Sequence, residues 1–381
     1  MKKLIGLTTA LFCLVFLLFS FVFVTAQAEE TCEVEIVIEK ETFTEKIEIP
    51  TNKRLRVGKS FYDFIQKMLD SGYDGEDVLN YLSPNLGRAY FNLLKSKEIQ
   101  PVNAELEVDF ERWKFDYISG KKGKLFDKRE ACLLLGKAMD GEKQTLNLTE
   151  CDPEVTVKKL KEQTILMGKF TTSLETSKAE RKHNVALASS FIHGTILKSG
   201  EEFSFNKIVG ERTEERGFQN AKVIQDGKYI EGIGGGVCQL ATTLYNAVLL
   251  SGLNVKTVAR HTFAPSYVPP SRDAMVSSYT DFRFENDTDY DIYIFSKVSP
   301  DSVTVAIYGF KQHNVILESL KTEIIPFSNV DTNGNSLENL TDRTLISAGI
   351  EGFKSELYVI RDGKKIKVRS DTYKSKDAVY E

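Results

Sequence analysis

Residues 231–252 read EGIGGGVCQLATTLYNAVLLSG, and the reading of this stretch decides how the rest of the chain is understood. Three consecutive glycines, Gly234 to Gly236, lead through Val237 into Cys238. Leu240, Leu244, Ala247, Val248 and Leu250 then recur near one helical face, and Gly252 stands where a C-cap belongs. An amphipathic helix opening at Cys238 is therefore predicted. A thiol at a helix N-terminus faces unpaired N–H groups and the positive end of the dipole, and both favour the nucleophilic thiolate. Flexible glycines just before it let the N–H groups of Gly235, Gly236 and Cys238 approach a substrate carbonyl as an oxyanion hole. Two readings stand side by side: a reactive thiol, or a buried cysteine that follows a turn.

Upstream, Val223 and Tyr229 flank Asp226-Gly227, a type I′ hairpin signal, so the second hairpin strand delivers the chain into the glycine loop. Ser177 to Ile192 reads as a helix through Val185, Ala188, Phe191 and Ile192. His183 and His193, on or beside it, are expected to be structural or solvated. Downstream, Phe282 and Phe284, then Tyr290 to Ile294, then Val303 to Ile307 read as three antiparallel strands. Nearer the N-terminus, Val34, Ile36 and Ile38 alternate with acidic residues as a strand, and Phe43, Ile47 and Ile49 suggest its neighbour. Ser60 to Leu69 has helical spacing, Ala104 to Phe110 alternates strictly, and Asp127 with Glu130 opens a helix in capping-box fashion. Helix and strand mix without a βαβ rhythm, so the fold class is α+β. The expected parts are an N-terminal α+β domain, a mixed α/β domain with an antiparallel sheet, and a small β-rich C-terminal appendage.

The chain has 381 residues and a formal net charge of −4, with no polycationic patch, which argues against nucleic acid as a partner. Lys2 and Lys3, the apolar run Leu4 to Val24, and Ala26-Gln27-Ala28 compose an export signal over residues 1–28. The apolar run is long enough that residues 4–24 are either cleaved with the signal or retained as a membrane anchor. An extracellular or cell-wall location is expected in both cases. Cys132 and Cys151 fall in one predicted unit and are candidates for a disulfide, which spacing alone does not decide. There is no C-x-x-C, and the histidines are scattered, so neither a metal site nor a cofactor is expected.

At these residues the chain resembles the VanW family. The resemblance runs from about Leu166 to Gly309. It rests on Gly168-Lys169-Phe170-Thr171-Thr172, Arg181 with Asn184, Phe203-Ser204-Phe205-Asn206, Gly232 to Gln239, Thr243-Leu244-Tyr245-Asn246, Arg260-His261, and Val268-Pro269-Pro270 with Arg272-Asp273-Ala274. Ala104 to Val155 more loosely resembles the peptidoglycan-binding domain that often precedes it, and Ala348 to Tyr373 a degenerate G-five-type module. The implied domains are 32–160 for peptidoglycan binding, 165–310 for catalysis, and 329–381 for the appendage.

The resemblance implies a cell-envelope protein and an L,D-transpeptidase that forms 3-3 peptidoglycan cross-links, with stem peptides as partners. Cys238 carries over as nucleophile. His261 is the candidate base, because an imidazole titrates near working pH and lies after the nucleophile's helix. Arg260 and Arg272 are candidates for holding a donor carboxylate, Asp273 for the substrate site or for orienting His261, and Tyr267 for lining the groove. Tyr245 is expected in the core. Two other readings are kept: a non-catalytic wall-binding or scaffold protein, and a cysteine peptidase that cuts stem peptides.

Overall fold

The computed structural model describes residues 29–38, 41–225 and 228–381. The segment 1–28, where an export signal is expected, and the hairpin tip Asp226-Gly227 lie outside the described residues. No described helix is long and apolar enough to cross a membrane. The architecture is α+β, with helices packed on mostly antiparallel sheets. The chain forms two compact units: residues up to Ala104 together with Ser119–Thr156, and Glu105–Ile118 together with Val157–Glu381.

In the first unit, strand Glu29–Ile38 pairs antiparallel with Glu41–Pro50 and parallel with Gln144–Leu146. The alternation of the two long strands buries Val34, Ile36, Ile38, Ile47 and Ile49 against helices that include Phe61–Asp70 and Lys128–Met139. Asp127 caps the second of these helices by accepting a 2.7 Å hydrogen bond from the Glu130 N–H. The candidate disulfide is not formed. Cys132 is a buried free thiol, and Cys151 is a half-buried free thiol on the short strand Thr149–Cys151. The Cys132 sulfur packs so closely on Gly75 that a Cβ built there would sit 2.5 Å from it, so this thiol serves as core volume.

The second unit is built on a four-stranded antiparallel sheet, in the order Ile165–Ser173, Ser302–Gly309, Ile292–Ser299, Thr195–Leu197. Helices Val237–Ser251 and Ala179–Ile192 pack on it. The closest approach is at Gly168, where a Cβ would meet the Ala247 carbonyl at 2.5 Å. Phe110, Trp113 and Phe115 of the 105–118 hairpin pack on Tyr293, Phe295 and Tyr308 of the same sheet. Strand Ile292–Ser299 therefore buries successive residues from Ile292 to Ser296, where a one-sided sheet would alternate.

Four expectations change here. The helix that carries Cys238 is buried from Gln239 to Leu249 on all sides, so it is a central helix and not an amphipathic surface one. The strand Arg283–Glu285 does not pair with Ile292–Ser299. It lies between Glu202–Ser204 and Asn254–Thr257 in a separate sheet, where the Phe203 and Phe284 rings stack. The C-terminal stretch is not an appendage beginning at 329. Val315–Ile325, Gly352–Arg361 and Lys364–Tyr373 form one sheet whose Leu357 and Val359 belong to the main core of the second unit. The 105–118 hairpin likewise belongs to this unit and not to the N-terminal domain.

Candidate active site

The hairpin Asn220–Gln225 with Lys228–Ile233 runs in register, Gln225 opposite Lys228, and ends in the glycine loop. Gly234 (φ +80°) and Gly236 (φ +108°) adopt left-handed backbone that side chains rarely tolerate, and Gly236 is the N-cap of the helix. Asn184, fully buried on helix Ala179–Ile192, fixes the loop. Its side-chain amide donates to the carbonyls of Gln219 (2.9 Å) and Gly235 (3.1 Å) and accepts from the Gln219 N–H (2.7 Å). A trans peptide sets N–H opposite C=O, so holding the Gly235 carbonyl turns the Gly236 N–H away from Asn184. The N–H groups of Gly235, Gly236 and Cys238 have no hydrogen-bond partner among the described residues. That is the arrangement an oxyanion hole requires, because donors must be unspent before substrate arrives.

Cys238 begins the first turn of helix Val237–Ser251, and its thiol donates to the Val276 carbonyl at 3.2 Å. The His261 imidazole shares the groove wall with Cys238 and couples to its sulfur electrostatically. Its Nδ1 binds Asp273 Oδ2 at 2.7 Å, and its own N–H donates to the same oxygen at 2.7 Å. Asp273 is 0% exposed. The other carboxylate oxygen, Oδ1, accepts from the Tyr373 hydroxyl at 2.5 Å. The three side chains therefore stand in series as nucleophile, imidazole and buried carboxylate.

Electrostatics follow from this series. Burial works against charge on all three groups, and in each case the partners outweigh it. The neighbouring His261, the backbone at Val276 and the charge of Arg212 hold the Cys238 thiol below its ordinary value. Asp273 and then Cys238 push His261 up to about 9. His261 and Tyr373 hold the Asp273 carboxyl below the usual range. In each group the partners thus favour the charged form: thiolate at Cys238, imidazolium at His261 and carboxylate at Asp273.

The pair opens onto a groove of about 1500 Å3. Two guanidinium groups line it. Arg181 donates to the Gln239 Oε1 (2.9 Å) and Arg212 to the Asn206 Oδ1 (2.6 Å), and neither forms an ion pair with a carboxylate among the described residues. No cluster of His, Cys, Asp and Glu among the described residues is arranged to hold a metal ion.

A family model described as "VanW like protein" matches residues 180–308. The chain carries a VanW-like domain. Over 144 residues it is 39% identical to the protein YoaR of Bacillus subtilis, a span of 38% of this chain and 48% of that one. Over 135 residues it is 26% identical to the Vancomycin B-type resistance protein VanW of Enterococcus faecalis, a span of 34% of this chain and 49% of the other. The chain thus spans about half the length of the curated relatives it matches.

The VanW-like domain holds Cys238, His261 and Asp273, along with Gly235 and Gly236. Tyr267 lines the groove, with burial raising its phenol pKa. Asp273 is fully buried, hydrogen-bonded to His261, and does not line the groove. Arg260 and Arg272 are not where a donor carboxylate is expected. Arg260 donates to the His261 carbonyl at 3.0 Å and Arg272 to Asn246 Oδ1 at 2.6 Å with its plane over Phe170, and neither lines the groove. Tyr245 is in the core. His183 bonds the Gly217 carbonyl, and His193 accepts from the Ser296 N–H amid the aromatic cluster, both as structural groups.

Four residues at or behind the groove were given no site role from sequence: Arg212 and Tyr373, and Arg181 and Asn184, which entered only as carriers of the resemblance. Arg181 and Asn184 stand three apart on one helix, which puts both on the face toward the glycine loop, and that spacing was a usable signal. Nothing local marks Tyr373, which lies 100 residues beyond Asp273.

Proposed function

We propose that the VanW-like domain of this chain catalyses acyl transfer on peptidoglycan stem peptides through Cys238, as an exported L,D-transpeptidase. The observation that supports this best is the series Cys238–His261–Asp273, in which each group favours the charged form of the next, as a cysteine nucleophile needs. One relative is named for vancomycin resistance, and we carry from it a role at the cell envelope.

In the first step the Cys238 thiolate attacks the donor carbonyl carbon. The oxyanion is received by the N–H groups of Gly235, Gly236 and Cys238. The amide C–N bond breaks as the His261 imidazolium gives its proton to the departing amine, which leaves a thioester and a neutral imidazole. In the second step an acceptor amine attacks the thioester carbonyl and His261 takes its proton. The C–S bond breaks and the thiolate–imidazolium pair is restored. Arg181 and Arg212 hold the carboxylate of the donor, since each is a guanidinium with donors to spare at the groove.

The test is incubation of the full chain with purified tetrapeptide muropeptides, followed by mass spectrometry. The expected product is a dimer that has lost one terminal amino acid. A hydrolysed tripeptide supports the peptidase reading, and no change supports the scaffold reading. Dimers formed by a Cys238→Ser variant rule out the mechanism.

A further inference from the structure

The C-terminal hairpin, Gly352–Arg361 with Lys364–Tyr373, reaches the loop that carries His261 and Asp273 at several points. Tyr373 is 1% exposed, and its hydroxyl donates to Asp273 Oδ1 at 2.5 Å while accepting from the Ser271 N–H at 2.9 Å. Arg369 donates to the Asp273 carbonyl at 2.6 Å. Ser355 Oγ and Ser271 Oγ share a hydrogen bond at 2.7 Å, and the Lys374 N–H donates to the Thr262 carbonyl at 3.0 Å. All these hairpin residues lie beyond the matched 180–308 segment.

A carboxylate sealed from water keeps its charge only if its oxygens find donors. Asp273 Oδ2 finds two on His261, and Oδ1 is met by Tyr373. We propose that Tyr373 is a positioning residue of the catalytic site: its hydroxyl fixes the rotamer and the ionised state of Asp273, and Asp273 in turn holds the imidazolium of His261. The VanW-like domain is thus completed by a side chain from outside the segment that matches the family.

The other charged groups around this centre are accounted for. Arg369 lies 3.8 Å from Asp273 Oδ1, but its Nε is committed to Asp371 at 2.7 Å. Arg260 stands over the Tyr373 ring and 4.0 Å from Asp371. Tyr245, which is neutral at working pH, also faces Arg369 and Asp273. On the Cys238 side, Arg212 and Tyr267 face the sulfur. None of these takes the place of the Tyr373 hydroxyl at Oδ1.

The proposal deepens the acyl-transfer reading by adding to its site, yet it is read without any wall peptide, so the two can fail separately. The measurement is the NMR titration of the His261 imidazole in the full chain, assigned by loss of its signal in a His261 variant. In Tyr373→Phe the ring still packs on Phe353 and only the hydroxyl is lost. The His261 midpoint is expected to fall by about one pH unit or more toward the ordinary histidine value. In an Asp273→Asn background the same substitution is expected to shift nothing further, because the coupling runs through the carboxylate. Ser355→Ala removes another hairpin contact to the same loop without touching Asp273, and is expected to leave the midpoint in place. The proposal is overturned by an unmoved or raised midpoint in Tyr373→Phe, by an equal shift in Ser355→Ala, or by a shift that persists in the Asp273→Asn background. It is overturned too if Tyr373→Phe simply unfolds, since the hydroxyl would then serve the fold and not Asp273.

Discussion

Cys132 and Cys238 are two thiols on helices of one chain, the first fully buried in a core and the second half-buried at a groove, and their acidities move in opposite directions. Burial, with the Asp74 charge nearby, pushes Cys132 up to about 12. Burial acts on Cys238 as well and is its largest single influence, yet His261, Val276 and Arg212 bring that thiol below its ordinary value. The helix position also differs. Cys132 lies in the fifth position of Lys128–Met139, whereas Cys238 is in the first turn of Val237–Ser251, beside N–H groups that bond nothing else among the described residues. Desolvation alone makes a cysteine inert. It takes an imidazole, itself braced by a carboxylate, to turn the same burial to the advantage of a nucleophile.

The contrast can be broken or sharpened in four ways. The largest effect is expected from alkylation of the folded chain at neutral pH: iodoacetamide labels Cys238 and leaves Cys132 intact, by a ratio on the order of 10^3 or more as judged by peptide mass spectrometry. Equal labelling would erase the distinction. Next, Asp273→Asn is expected to lower turnover by about 10^2 to 10^4-fold with the fold retained, because an amide presents the wrong partner to Nδ1 and no longer supports an imidazolium. Stopped assays of dimer formation would check it.

The same pair sets the pH dependence. His261 must be protonated to release the leaving amine, and its pKa is raised to about 9, so activity holds across neutral pH and falls as pH rises through about 9. An alkaline limb near the ordinary histidine value would contradict the ion pair. Smallest is the effect of Cys132→Ala, which is expected to cost about 1–2 kcal/mol in denaturant unfolding and nothing in activity, since that sulfur only fills space against Gly75. A catalytic defect in this variant would mean that the two thiols are not separate in role.

What could be read from the sequence was whatever is written in local pattern. The alternation of Val34, Ile36 and Ile38, the cap at Asp127, and the glycine run before a helix start each express a rule that spans a few residues, and each feature is present. Cys238 and His261 were singled out on the same terms, as residue types with reactive side chains, and both line one groove. Arginines for a substrate carboxylate were sought close to His261 in sequence, but Arg260 and Arg272 bond a carbonyl and an amide of the framework away from the groove lining, while Arg181 and Arg212 reach the groove from separate elements. The partner of Cys132 was sought among cysteines, but its packing partner is a glycine. Tyr373 and the aromatic face of the 105–118 hairpin carry no mark of their destination, because a tertiary partner far along the chain gives each its role.

The hairpin 105–118 has a practical bearing on where this chain can be cut. A fragment begun at Val157 would look like a sensible catalytic piece on any one-dimensional map. It would also strip Phe110, Trp113 and Phe115 from the sheet and leave Tyr293, Phe295 and Tyr308 facing water as one contiguous aromatic surface. Such a fragment would aggregate for lack of fourteen residues encoded upstream of the boundary, Glu105–Ile118. A useful truncation keeps that hairpin, either by starting before Glu105 or by joining it to the fragment through a linker.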